Sequence, residues 1–141
     1  MISQIAIEEV MITNPVCVAL KDLMTVVDQL FKKNTFHHLP VVDEEGVLVG
    51  IISKVEYFSL KDSFSLLRPN KSRDVNERLL SSLLVKDVMK KSPIVLNADD
   101  TLIDAALIFD ENKFHALPSV EEDDRLIGII TPHDLIRKAY L

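Results

Sequence analysis

The chain has 141 residues, 48% of them hydrophobic, with six Phe, no Trp, three Gly and a formal net charge of −6. This length supports one ordinary domain rather than two. The acidic balance and scattered basic residues argue against a nucleic-acid partner, because phosphate affinity comes chiefly from clustered Lys and Arg.

The start, Met1-Ile2-Ser3-Gln4, lacks the basic and then apolar pattern of a signal peptide. No apolar run reaches the ~18 residues of a membrane span. The expected location is the cytoplasm, with no membrane partner. Ile5-Ala6-Ile7 reads as a short helical lead-in to Val10-Met11. After Pro15, Val16 and Val18 read as a short strand. Cys17 lies between them and is expected to be a buried small hydrophobe, since a lone cysteine forms no internal disulfide. Leu23, Val26, Val27, Leu30 and Phe31 recur at helical spacing, with Asp22 as candidate N-cap. His38 to Val42 reads as a strand, Asp43-Glu44-Glu45-Gly46 as a hairpin turn, and Val47 to Ile52 as a second strand. Ser53 then opens a short helix through about Leu60.

Residues Lys61 to Ser82 are polar and charged around Pro69-Asn70 and read as an exposed connector, part helical after Asp74. Leu83-Leu84-Val85 repeats the short helical lead-in. A strand near Ile94 to Leu96, a helix from Thr101 to Asn112, strands at Ala116 to Val120 and Leu126 to Ile130, and a helix from Pro132 complete the chain. The order β-α-β-β-α is thus written twice. Val10 to Leu60 lies over Val88 to Lys138 at a constant offset without a gap, and sixteen of the fifty-one paired positions are identical. A fixed-period repeat of this kind dominates the fold assignment. The expected division is 1–61 for the first copy, 62–82 for the connector and 83–141 for the second copy.

These motifs closely resemble the CBS domain family, whose tandem pair is often called a Bateman module. The residues that carry the resemblance are Val10-Met11, Pro15, His37-His38-Leu39-Pro40-Val41-Val42-Asp43 and Gly50-Ile51-Ile52-Ser53 in the first copy. In the second they are Val88-Met89, Pro93, His115-Ala116-Leu117-Pro118 and Gly128-Ile129-Ile130-Thr131-Pro132-His133-Asp134. The resemblance implies an α/β (α+β) fold, with two β-α-β-β-α repeats packed as a pseudo-twofold pair and two clefts at their junction. It also implies binding of an adenine-containing ligand such as AMP, ADP, ATP, S-adenosylmethionine or a cyclic dinucleotide, with no cofactor required.

In the family the Asp of the last motif accepts hydrogen bonds from a ribose diol, and the Ser or Thr faces ribose or phosphate. The second copy matches this motif with Thr131, His133 and Asp134. Its site is completed, by analogy, with Ile5, Val10, Phe36 and His37. The first copy offers Ser53, Val55 and Glu56, completed with Leu83, Val88, Phe114 and His115, but Glu56 replaces the family's Asp and spoils the grip on a diol. His38 stands where the family often has a phosphate-contacting Arg, and by position it is the candidate phosphate contact.

The same residues have a structural reading. Ser53-x-x-Glu56 is a capping box and Thr131-Pro132-x-Asp134 a helix start with Pro at its first position, residues that any helix can use for stability alone; that alternative weighs more for Ser53 and Glu56 than for Thr131 and Asp134. His37 and His115 equally suit rings packed in a core. No metal-ligand spacing stands out, and no nucleophile–base pair or Gly-rich phosphate loop points to an enzyme. The leading expectation is a regulatory module, homodimeric, that modulates an unidentified partner protein. The alternative is a ligand-free dimerisation scaffold.

Overall fold

The computed structural model describes residues 4–67, 78 and 81–141. Its described residues form two four-stranded sheets and five helices, a mixed α+β architecture. The strands are β1 (Ile12–Thr13), β2 (Val18–Ala19), β3 (His38–Val42), β4 (Leu48–Ser53), β5 (Lys90–Lys91), β6 (Leu96–Asn97), β7 (Leu117–Val120) and β8 (Leu126–Ile130). The helices are α1 (Met24–Lys33), α2 (Lys54–Leu67), α3 (Val85–Val88), α4 (Leu102–Asp110) and α5 (Pro132–Tyr140), with a 3-10 turn at Ile7–Glu9.

Two compact units emerge, and they cut across the repeat. One comprises Met1–Pro15, Glu45–Leu48 and Ser92–Leu141; the other comprises Val16–Glu44 and Val49–Lys91. Each unit therefore combines the body of one copy with the lead-in segment of the other.

In the first unit the sheet order is β1-β8-β7-β6, with β1 antiparallel to β8 through Ile12↔Ile129 and Thr13↔Gly128. Its core is Ile7, Leu96, Leu102, Ala105, Leu117 and Ile130. The lead-in is sewn to helix α4 by backbone bonds: Leu102 N–H donates to Ile5 O at 2.9 Å, and Ile7 N–H donates to Asp100 O at 2.8 Å.

The second unit repeats the arrangement. Its sheet order is β2-β3-β4-β5, with β5 antiparallel to β4 through Gly50↔Lys91 and Ile51↔Lys90. Met24 N–H donates to Leu83 O at 2.9 Å and Val85 N–H to Asp22 O at 2.8 Å. Val18, Met24, Val27, Phe31, Leu39, Val41, Ile52, Tyr57 and Val85 form the core.

Several local expectations are corrected. Asp22 is not the N-cap of α1; Leu23 is, without a side-chain cap. The Asp22 carboxylate instead accepts from Ala19 N–H at 2.9 Å, as Asp100 accepts from Asn97 N–H at 2.8 Å. The first amide of α1, one of the four a helix start leaves unpaired, is met by the remote Leu83 carbonyl. Cys17 is exposed, not buried. Its neighbour Val18 is the core residue, and strand alternation sends Cys17 to the other face. Partial burial of the sulfur, and secondarily the Asp22 carboxylate, push the thiol pKa above its ordinary value.

Helix α2 runs through Leu67 rather than ending near Leu60. Lys61, which reads in sequence as the start of a connector, is instead a helical residue bonded to Asp28. The helix expected after Asp74 falls for the most part outside the described residues, as does Pro69-Asn70.

Two packing details stand out. A Cβ built on Gly50 would lie 2.5 Å from the Met89 sulfur and 3.0 Å from the Lys90 carbonyl. On Gly128 it would clash with the Met11 sulfur and lie 3.0 Å from the Ile12 carbonyl. Each copy's Val-Met is thus seated on the other copy's Gly-Ile-Ile.

The second detail belongs to the first copy alone. Asp28 Oδ1 accepts from the Tyr57 hydroxyl at 2.6 Å and from Lys61 Nζ at 3.3 Å, while Lys32 Nζ lies 2.8 Å from Oδ2. Burial alone would raise the Asp28 pKa, but the Lys32, Tyr57 and Lys61 bonds outweigh it and hold the carboxyl below its ordinary value. The matched positions in the second copy are Ala106, Leu135, Ala139 and Asp110, so no such network forms there.

Gly128→Ala is expected to destabilise the fold by about 1–3 kcal/mol in denaturant titration, as overpacking does. Combined with Met11→Ala its added cost should shrink, because the new methyl then has room; strict additivity would contradict the contact. Asp28→Asn is expected to cost about 1–3 kcal/mol near pH 7. Because the folded pKa is depressed, the carboxylate's contribution is present above the unfolded value of about 4 and fades as pH falls through the folded value. The gap between wild type and Asp28→Asn should therefore narrow below about pH 4. A gap constant down to the acid transition would exclude this linkage.

Candidate functional site at the start of the last helix

The last helix starts in the way its sequence requires. Thr131 is the N-cap in extended conformation, Pro132 follows at the first helical position, and Asp134 stands third. Pro loses nothing there, because its missing N–H would be unpaired in any case. Thr131 Oγ1 accepts from Asp134 N–H at 3.4 Å, and Asp134 Oδ2 accepts from Thr131 N–H at 2.9 Å and from Thr131 Oγ1–H at 3.0 Å. The capping box is complete, and both bonds that reach the carboxylate fall on Oδ2. Asp134 Oδ1 takes no hydrogen bond among the described residues. A carboxylate offers about four acceptor positions, so the cap leaves half of them for a ligand.

The matched start of α2 is built differently. Ser53 Oγ accepts from Glu56 N–H at 3.1 Å, but the reciprocal bond is missing among the described residues. The longer Glu56 side chain instead turns to Lys90, with Nζ 3.6 Å from Oε1. The expected Ser53–Glu56 capping box is therefore half formed.

The remaining sequence candidates divide between the units. Ile5 and Val10 share the first unit with Thr131, His133 and Asp134, and both pack partly buried against its core. His133 is exposed. Phe36 and His37 belong to the second unit. The Phe36 ring meets Phe31 edge-on at 6.3 Å, and the His37 carbonyl accepts from Lys54 N–H at 2.7 Å. His38 is half-buried at the start of β3.

Of the other set, Ser53, Val55, Glu56, Leu83 and Val88 lie in the second unit, while Phe114 and His115 lie in the first. Leu83 and Val88 are partly buried on the core, whereas Val55 is 74% exposed. The rings of His37 and His115 are exposed, so the alternative that they fill a core is set aside.

Lys90 is the residue that sequence reasoning missed. Its signal was available: the matched residue in the other copy is apolar Ile12. Among the described residues no group of three His, Cys, Asp or Glu side chains could hold a metal ion, and no helix is long and apolar enough to cross a membrane.

Comparison with known proteins gives the same two copies. The CBS domain model matches residues 7–59 and 85–140. An uncharacterized protein of Methanocaldococcus jannaschii is 34% identical over 134 residues, covering 82% of this chain and 79% of that protein. The chloroplastic CBS domain-containing protein CBSX1 of Arabidopsis thaliana is 35% identical over 133 residues, again 82% of this chain, and the match spans only 56% of that protein. Among solved structures, Arabidopsis CBSX2 in complex with AMP superposes with a TM-score of 0.78 at 28% identity, over 96% of each chain. With two model matches in tandem covering most of its length, the chain belongs to the CBS domain family as a tandem pair.

Proposed function

We propose that this chain is a regulatory module that binds an adenine-containing nucleotide at the start of α5 and signals its occupancy to a separate partner protein. The observation that carries this reading is the uncommitted Oδ1 of Asp134, held beside a complete helix cap. The capping and binding roles of Asp134 are then compatible. Oδ2 fixes the carboxylate's position and Oδ1 accepts from a ribose diol.

The helix start adds a favourable potential for a phosphate. Ile5 and Val10 supply apolar surface in the same unit, and an adenine ring needs such contact plus a few polar partners. The AMP complex of CBSX2 supports the choice of ligand class. No catalytic step is assigned to any residue. The homodimeric scaffold reading is supported separately by exposed Ile103 and Leu107 on α4 and Ile136 and Tyr140 on α5, two helices that pack together. Dimerisation and nucleotide binding can coexist in one module.

Thermal melts with AMP, ADP, ATP, S-adenosylmethionine and cyclic di-AMP test the proposal. At a hundredfold excess over Kd the true ligand should stabilise the fold by about 2.7 kcal/mol. Asp134→Ala should abolish this shift, measured against its own ligand-free melt because the cap is lost too. Glu56→Ala should keep it. Unchanged melts with all five ligands would sink the nucleotide reading and leave the scaffold.

A further inference from the structure

We propose that Lys90 is a specificity-determining residue: paired with Glu56, it closes the first copy's motif to a nucleoside and leaves the chain with one nucleotide site. This rests on the reading of Asp134 as the ribose-binding carboxylate.

The argument starts from backbone register. Lys90 of β5 pairs with Ile51 of β4, and Ile12 of β1 pairs with Ile129 of β8. Ile51 and Ile129 are themselves matched positions of the repeat, so Lys90 and Ile12 occupy the same place beside the two motifs. One place holds an ammonium and the other an isobutyl-sized apolar group that is 52% exposed.

Beside Ile12, the Asp134 carboxylate makes no ion pair among the described residues. It folds back over Thr131 with both bonds on Oδ2. Beside Lys90, the carboxylate of Glu56 leaves its cap and approaches the ammonium at 3.6 Å. Two differences act together. The extra methylene lets Glu56 reach past the helix start, and Lys90 offers donors that compete with a diol for the same lone pairs.

The pair contributes little to stability. Both side chains are more than half exposed, at 60% and 55%, and such pairs are weak. Its consequence is the position of the carboxylate and the donors already on it. Removing the ammonium alone should change affinity by about fivefold. Opening the motif requires the shorter acid as well.

Calorimetric titration of the full chain tests this, with AMP as probe and with ADP, ATP, S-adenosylmethionine and cyclic di-AMP in turn where AMP gives no heat. Wild type should bind one AMP and Asp134→Ala none. Adding Glu56→Asp and Lys90→Ile to Asp134→Ala should restore one site, and Glu56→Asp alone in that background should bind about fivefold more weakly than the triple variant. Glu56→Asp/Lys90→Ile in the wild-type background should raise the stoichiometry from one to two, which serves if the triple variant fails to fold. A stoichiometry that stays at one, or a folded triple variant without binding, overturns the role of Lys90. So does a Glu56→Asp variant as tight as the triple. By contrast, an Asp134→Ala protein that binds like wild type, or a wild type that binds none of AMP, ADP, ATP, S-adenosylmethionine and cyclic di-AMP, overturns the Asp134 reading on which the role of Lys90 depends.

Discussion

The first amide of α1 donates to the carbonyl of Leu83, and the first amide of α4 donates to the carbonyl of Ile5. Both helices begin with a backbone donor that has no partner in its own turn, and in each case the partner comes from the other copy's lead-in. The same lead-in then runs on as a two-residue strand at the sheet edge and drops a methionine onto the glycine of the Gly-Ile-Ile strand. This reciprocal exchange ties three features of the repeat to one cause. Val-Met is kept with a Gly opposite it, the first amide of each helix is met by a remote carbonyl, and each unit draws on both copies.

The exchange also governs the candidate site. Because the lead-in of the first copy lies in the unit of the second, Ile5 and Val10 share a unit with Thr131 and Asp134. Because the lead-in of the second copy lies in the unit of the first, Lys90 meets Glu56. The asymmetry between the two motifs therefore has two sources in sequence, one within the motif and one in a segment that precedes the other copy's motif by some forty residues.

Much of this was legible in the sequence. The helical spacing of Leu23, Val26, Val27, Leu30 and Phe31 gives α1, and the apolar runs give β3, β4, β7 and β8. The Thr131-Pro132-x-Asp134 start is built as its residues require. The failures share a physical origin. Lys90-Lys91 and Ile12-Thr13 are two-residue edge strands with no alternation long enough to register. Asp22 looks like an N-cap because the carbonyl that replaces it comes from a distant segment. Lys61 looks like a connector because its charge is satisfied by Asp28 across the helix pair. Cys17 was placed inside because an apolar run does not tell which alternate residue faces the core. Internal repetition reveals that two copies exist, but identical motifs do not disclose which lead-in pairs with which sheet.

The central claim is that the Thr131–Asp134 motif, and not its counterpart at Ser53–Glu56, receives the nucleotide. Backbone amide NMR during an AMP titration tests it most directly, since Thr131 and Asp134 amides lie within the cap itself. The account predicts saturable shifts at Thr131, His133 and Asp134, with Ser53 and Glu56 unmoved. Equal shifts at both helix starts, or shifts confined to Ser53 and Glu56, would contradict it.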